Sequence, residues 1–156
     1  MRCRFLPAVT LASLVFLSGC QPAADFSTDT DGSYSWQQLE GGYVVVNYFA
    51  EWCAPCLREL PELNEFHELY GDQVKLLGVS FDGLNNEELA ALRAEYNIQF
   101  PLIQNEPLPM LPFAQPNALP ATYIVTPSGE IKGPLLGEQT LETLAKATDL
   151  EVPPGH

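Results

Sequence analysis

The sequence predicts an α/β domain with a central mixed sheet flanked by helices. Three observations carry that expectation. Two β-branched and aromatic runs, Tyr43–Ala50 and Val74–Phe81, show little alternation, as strands buried on both faces do. Each is followed by a stretch whose apolar residues recur at helical spacing, and strand–helix–strand order implies parallel pairing. A third run, Thr122–Thr126, leads through the turn Pro127-Ser128-Gly129-Glu130 into Ile131 onward, which reads as an antiparallel hairpin at the sheet edge.

The elements follow in order. Gly41-Gly42 introduces the first strand, which ends in Glu51-Trp52-Cys53-Ala54-Pro55-Cys56. Leu57, Leu60, Leu63, Phe66 and Leu69-Tyr70 then mark an amphipathic helix that stops at Gly71. Pro61 lies inside it and is expected to kink it, because proline lacks an N–H and crowds the preceding turn. After the second strand, Asn85 or Asn86 caps a helix running to about Tyr96, with Leu89, Leu92 and Tyr96 inward. Phe100–Ile103 is a short apolar piece. Glu106–Pro120 carries five prolines and is neither helix nor strand. Its Leu108, Met110, Leu111 and Phe113 suggest an extended or polyproline-like segment, either a docking surface or a packed loop. After the hairpin, Thr140 starts a last helix with Leu141, Leu144 and Ala145 inward. The order is βαβαββα, without an internal repeat.

Composition narrows the function. The chain has 156 residues, 46% of them apolar, enough for one domain with a core. Its 20 acidic and 7 basic side chains give a formal charge of −13, which argues against a nucleic-acid partner. No long apolar run marks a polytopic membrane protein. The first residues carry an address: Met1–Arg4 is basic, Phe5–Leu17 is uncharged, and Leu17-Ser18-Gly19-Cys20 closes the segment. Residues 1–19 thus read as a secretory signal peptide, shorter than the ~17–25 apolar residues a membrane span needs. Ordinary cleavage would release a soluble protein. Leu-Ser-Gly-Cys resembles the lipobox of bacterial lipoproteins, which implies that Cys20 is lipidated and becomes the new N-terminus. Loss of Arg2 and Arg4 would leave a formal −15, so the lipid must supply the anchoring. By resemblance to Gram-negative sorting rules, Gln21 favours the outer over the inner membrane. Residues 20–33 are polar, acidic and aperiodic, and are expected to form a flexible tether spanning roughly 20 Å. The domain is expected over 34–150, with 151–156 as a C-terminal tail.

Cys53-Ala-Pro-Cys56 is where chemistry is expected. Structural zinc needs four ligands, and the remaining candidates His67 and His156 lie far apart in the chain. An inert disulfide closing so short a loop would stabilise an already folded domain only modestly. A redox dithiol fits best. The pair sits where a strand ends and a helix begins, so free N–H groups and the helix dipole favour a thiolate there. Cys53, at the helix start, should be the exposed attacker. Cys56, one turn inside, should be the buried resolver. Pro55 falls where a missing N–H costs little, and Trp52 should shield the pair. The disulfide is itself the redox group, so neither cofactor nor metal is expected.

Phe49-Ala-Glu-Trp-Cys-Ala-Pro-Cys56, with Pro61 five residues beyond, resembles the thioredoxin superfamily, and the likeness continues through Leu119-Pro120-Ala-Thr-Tyr-Ile-Val125. The resemblance implies a thioredoxin-like fold. It also implies that Pro120 is cis and faces the dithiol, so that the backbone of Leu119 is presented to an incoming chain. The chain is most similar to the TlpA-like, membrane-tethered thiol–disulfide oxidoreductases, whose relatives include reductases of cytochrome c biogenesis. Cys-x-x-Cys-x-x-Glu-x-Pro with Glu59 and Pro61, Asn47 where thioredoxin carries a buried Asp, and Val79–Asp82 carry that likeness over about residues 36–148. Glu59 then has two readings, a solvated helix carboxylate or an acid–base group that accepts the proton of Cys56. Glu51 is expected exposed, and His67 a surface residue rather than a ligand.

The Pro-rich segment departs from the family, which more often has a short helix before its cis-proline loop. A peroxidase of the peroxiredoxin type would carry Thr or Ser three residues before its attacking Cys, where this chain has Ala50. Copper chaperones of related fold use Cys-x-x-x-Cys with a distant His, which is missing here. The expectation is therefore a monomeric, lipid-anchored, periplasmic or otherwise extracytoplasmic oxidoreductase. It would reduce disulfides of envelope proteins and be recharged by a membrane thiol donor. An oxidant or isomerase working through the same site is the alternative.

Overall fold

The computed structural model describes residues 23–153. In order they form β1 (Phe26–Thr28), β2 (Gly32–Tyr34), a 3-10 turn (Trp36–Leu39), β3 (Tyr43–Phe49), α1 (Ala54–Tyr70), β4 (Val74–Ser80), α2 (Asn86–Tyr96), β5 (Ala121–Val125), β6 (Ile131–Leu136) and α3 (Leu141–Ala147). From β3 onward this is the βαβαββα order read in the sequence.

The main sheet has the order β4-β3-β5-β6. β3 pairs parallel to β4 and antiparallel to β5, and β6 closes the antiparallel edge, so the sheet is mixed. The largely apolar character of β3, interrupted only by Asn47, reflects its central place, with all residues from Val44 to Phe49 buried. Successive side chains point to opposite faces. Val45 and Phe49 therefore join Leu60, Leu63 and Phe66 of α1, Leu89 of α2 and Leu144 of α3 in one core. Val44, Val46 and Tyr48 join Leu77, Val79 and Tyr123 in a second core on the other face. Gly78 of β4 is closely approached by the segment that bridges to it: a Cβ there would sit 2.5 Å from Leu102 and 2.9 Å from Phe100.

Helix ends follow their capping residues. Asn85 caps α2 by accepting from the N–H groups of Glu87 and Glu88, and Asn97 ends it in a left-handed conformation with φ of 51°. Thr140 caps α3. α1 is helical on both sides of Pro61, which lies exposed on its outer side.

Two boundary expectations are corrected. The tether expected over 20–33 is, from Asp25 on, built into the domain: β1 and β2 form an antiparallel hairpin that helps cover the second core. Phe26 is buried against Tyr34 and Trp36. The Asp25 carboxylate accepts from the Trp36 N–H, and the Asp29 carboxylate accepts from the Leu102 N–H and pairs with Arg93. The acidic residues that suggested solvation are thus held by partners far along the chain. At the other end, Val152 packs against the first core and the Glu151 carbonyl accepts from the Tyr70 hydroxyl, so the expected tail begins as part of the domain. The signal segment, Cys20, Gln21 and His156 lie outside the described residues. Among the described residues, no helix is long and apolar enough to cross a membrane.

The Pro-rich segment is a packed loop. Met110 exchanges backbone hydrogen bonds with its surroundings, its N–H donating to Asp25 and its carbonyl accepting from the Trp36 indole. Phe113 stacks on Tyr123 with centroids 4.2 Å apart, and the Tyr123 hydroxyl donates to the Ala114 carbonyl. Leu108 and Met110 nevertheless leave their side chains in solvent.

Candidate active site

Cys53 and Cys56 are joined by a disulfide across a Cα–Cα distance of 5.2 Å. They sit where β3 hands over to α1, because the strand ends at Phe49 and Cys53 caps the helix. The Cys56 N–H donates to Cys53 Sγ at 3.3 Å, and Pro55 occupies the first turn. A sulfur placed there meets an N–H that has no partner within the helix and the positive end of the dipole, which would stabilise it as thiolate once reduced.

The two cysteines differ in access less than expected. Cys56 is fully buried, but Cys53 is only 5% exposed rather than open to solvent. Both belong to the helix-side core with Phe49, Ala50 and Leu60. Trp52 shows most of its surface to solvent beside the disulfide; its indole N–H donates to Asp82 at 2.8 Å and its ring meets Phe81 edge-on. Glu51 is exposed.

The Leu119–Pro120 peptide is cis, as the resemblance implied; so are Glu106–Pro107 and Gly133–Pro134. Pro120 leads directly into β5, and its carbonyl accepts from the Gly137 N–H. Leu119 packs against both cores, one of which contains the cysteines.

Glu59 is not the solvated carboxylate of the first reading. It lies three residues after Cys56 on the same face of α1 and is 1% exposed. Its Oε1 accepts from Asn47 Nδ2 and its Oε2 from the Gln139 N–H, each at 2.8 Å. Asn47 Nδ2 also donates to Thr122 Oγ1 at 3.1 Å, across the β3–β5 register that sets the two residues opposite each other. Burial pushes the carboxyl up from its ordinary 4.5 to about 7, with Glu138 adding repulsion, while the bonds from Gln139 and Asn47 pull the other way. A group balanced near neutrality can both take and release a proton.

Sequence reasoning missed three members of this neighbourhood. Gln139 contributes a backbone N–H, which no side-chain pattern signals. Thr122 could have been found from its apolar strand, since a lone hydroxyl there needs a partner. Asp82 accepts from the Trp52 indole, a contact between residues 30 apart that no local pattern signals. His67 is half-buried and its pKa is lowered, mainly by burial. Among the described residues, no group of three or more His, Cys, Asp or Glu side chains is placed to hold a metal ion.

Residues 20–133 match the AhpC/TSA family. The chain belongs to the AhpC/TSA family. The relatives and solved structures it matches refine that placement. It is 27% identical to the thioredoxin-like protein YneN of Bacillus subtilis, over 84% of this chain and 79% of that protein. It is 32% identical to the thiol-disulfide oxidoreductase ResA of Oceanobacillus iheyensis, over 68% of this chain and 55% of that protein, little more than half its length. Among solved structures, a DsbF homologue from Corynebacterium diphtheriae superposes with a TM-score of 0.64 at 26% identity, covering 80% of this chain and 81% of that one. StoA from Bacillus subtilis superposes with a TM-score of 0.61 at 22% identity, covering 81% and 96%, a likeness of fold alone. The fold of this AhpC/TSA chain is thioredoxin-like, and its Cys-x-x-Cys pair stands at the strand–helix junction of that fold.

Proposed function

We propose that this chain is a protein thiol–disulfide oxidoreductase that reduces disulfides outside the cytoplasm. The observation that carries the proposal is the Cys53–Cys56 disulfide at the N-terminus of α1, one helical turn from the buried carboxyl of Glu59. Thiol–disulfide oxidoreductases among its relatives support the same reading.

The reaction uses this chain's own groups. In the reduced form, Cys53 thiolate attacks one sulfur of a client disulfide, and the client's other sulfur leaves as thiolate. The thiol proton of Cys56 passes to the Glu59 carboxylate. Cys56 thiolate then attacks Cys53 Sγ, the second client sulfur leaves, and the Cys53–Cys56 disulfide forms. Two electrons have moved to the client, and an external thiol donor must return them. Leu119, at the cis Leu119–Pro120 peptide, offers backbone to pair with the client strand. Trp52 offers an apolar surface beside the attacking sulfur, and Asn47 holds the carboxyl. The leader and Cys20 support export and lipid anchoring in a bacterial envelope, with Gln21 favouring the outer membrane; a membrane thiol carrier would then be the donor. Apocytochromes c are one class of client that fits this setting.

The test is the equilibrium potential of the Cys53–Cys56 couple against glutathione or dithiothreitol. A value near ~−200 mV or lower is expected for a reductase, and one near ~−120 mV would make the protein an oxidant instead. Failure to find a reversible two-electron couple would overturn the redox assignment itself.

A further inference from the structure

Asn47 carries an unresolved hydrogen-bond conflict. Its side chain is fully buried, and Nδ2 donates to both Glu59 Oε1 and Thr122 Oγ1, yet Oδ1 is buried without a partner. Turning the amide over about its last torsion would exchange the two ends. Oδ1 would then face Glu59 and Thr122, and Nδ2 would lack its partners. Each orientation satisfies one end of the amide only.

The proton on Glu59 decides between them. An ionised carboxylate can only accept, so it requires Nδ2. The opposite oxygen, Oε2, is held by the backbone N–H of Gln139, a donor that cannot reverse. A proton arriving on Glu59 is therefore directed to Oε1, the oxygen facing Asn47. Oε1–H must donate, and the Thr122 hydroxyl can donate as readily as it accepts. With the amide turned, Oδ1 would receive both hydrogens. The charged groups around the carboxyl do not reverse this logic. Glu138 repels it from the β6–α3 connection and is itself paired with Arg58 of α1, whereas β3 and β5 present the uncharged Asn47 and Thr122.

We infer that Asn47 is a positioning residue whose side-chain amide turns over with the protonation of Glu59, donating to the carboxylate and accepting from the acid. The inference rests on the reading of Glu59 as proton acceptor for Cys56. It explains why an amide serves here better than a carboxylate or an apolar side chain: only an amide offers both a donor and an acceptor of nearly the same shape. The acid–base group then keeps its partner in both charge states, and proton transfer leaves no broken hydrogen bond behind.

The test is nuclear magnetic resonance of the isotopically labelled full chain, oxidised, between pH 5 and 9. The Glu59 carboxyl carbon reports ionisation, and through-space contacts of the Asn47 Hδ2 protons with the Thr122 methyl report orientation. Contacts at high pH that are lost at low pH, with the midpoint of the carboxyl titration, are expected. In Glu59→Gln, whose new amide can donate as the acid does, the low-pH pattern should persist across the range. If Glu59 titrates while the contacts stay fixed, the turning amide is overturned and the role of Glu59 survives. If Glu59 does not titrate in this range, both are overturned.

Discussion

Replacing Glu59 with glutamine should remove a defined part of the pH dependence of stability. Folding raises this carboxyl from an ordinary 4.5 to about 7, chiefly by burial. The folded state therefore binds the proton more tightly than the unfolded chain, so the contribution of Glu59 is most favourable below 4.5 and is lost as pH rises to about 7. At about 1.36 kcal/mol per pH unit the whole effect is on the order of 3 kcal/mol, most of it falling between pH 5 and 8.5. The substituted glutamine carries no charge to desolvate. The stability of Glu59→Gln relative to the parent should thus improve by about 2–3 kcal/mol between those two pH values, or on the order of 10 °C in Tm for a domain of this size. Urea unfolding of both proteins at pH 5 and 8.5, with the disulfide kept oxidised, measures this double difference and cancels the other titrating groups. Parallel pH dependences in the two proteins would refute the argument that Glu59 is desolvated in the folded state.

Cys56→Ala should leave Cys53 able to attack but unable to be resolved, so a mixed disulfide with a client peptide accumulates on non-reducing gels while turnover is lost. Gly78→Ala should destabilise by ~1–3 kcal/mol through overpacking, because its Cβ would press on Leu102 and Phe100; thermal unfolding measures the loss, and the redox potential should not move. Asp29→Ala should cost ~1–3 kcal/mol, since it leaves the Leu102 N–H and one side of the Arg93 guanidinium unpaired. Hydrogen exchange should then report earlier opening at β1 and around Leu102 than elsewhere.

Local residue patterns suffice for the central strands and for the position of the dithiol. Tyr43–Phe49 and Val74–Ser80 are largely apolar on both faces, and that pattern has few solutions other than interior strands. Asn85 and Thr140 announce their helices because a side-chain oxygen at that position meets otherwise free N–H groups. Cys-x-x-Cys at a strand–helix boundary fixes a dithiol against a helix N-terminus, whatever surrounds it. These are local matters, settled within a few residues of chain.

What depends on distant partners emerges only once the chain is folded. The N-terminal hairpin looked like a tether because Asp25 and Asp29 read as solvated charges, but they are held by Trp36, Arg93 and Leu102. Cys53 reads as an exposed attacker from its place at the helix start, yet it is buried as part of the helix-side core. Glu59 could be read two ways because helical spacing shows which face it shares with Cys56 but not what that face meets. The register that sets Asn47 opposite Thr122, and the chain reversal that brings the Gln139 N–H to Oε2, make it a buried, hydrogen-bonded carboxyl. Spacing along a helix is inherited from covalent geometry, whereas burial is a property of whatever the rest of the chain brings to that face.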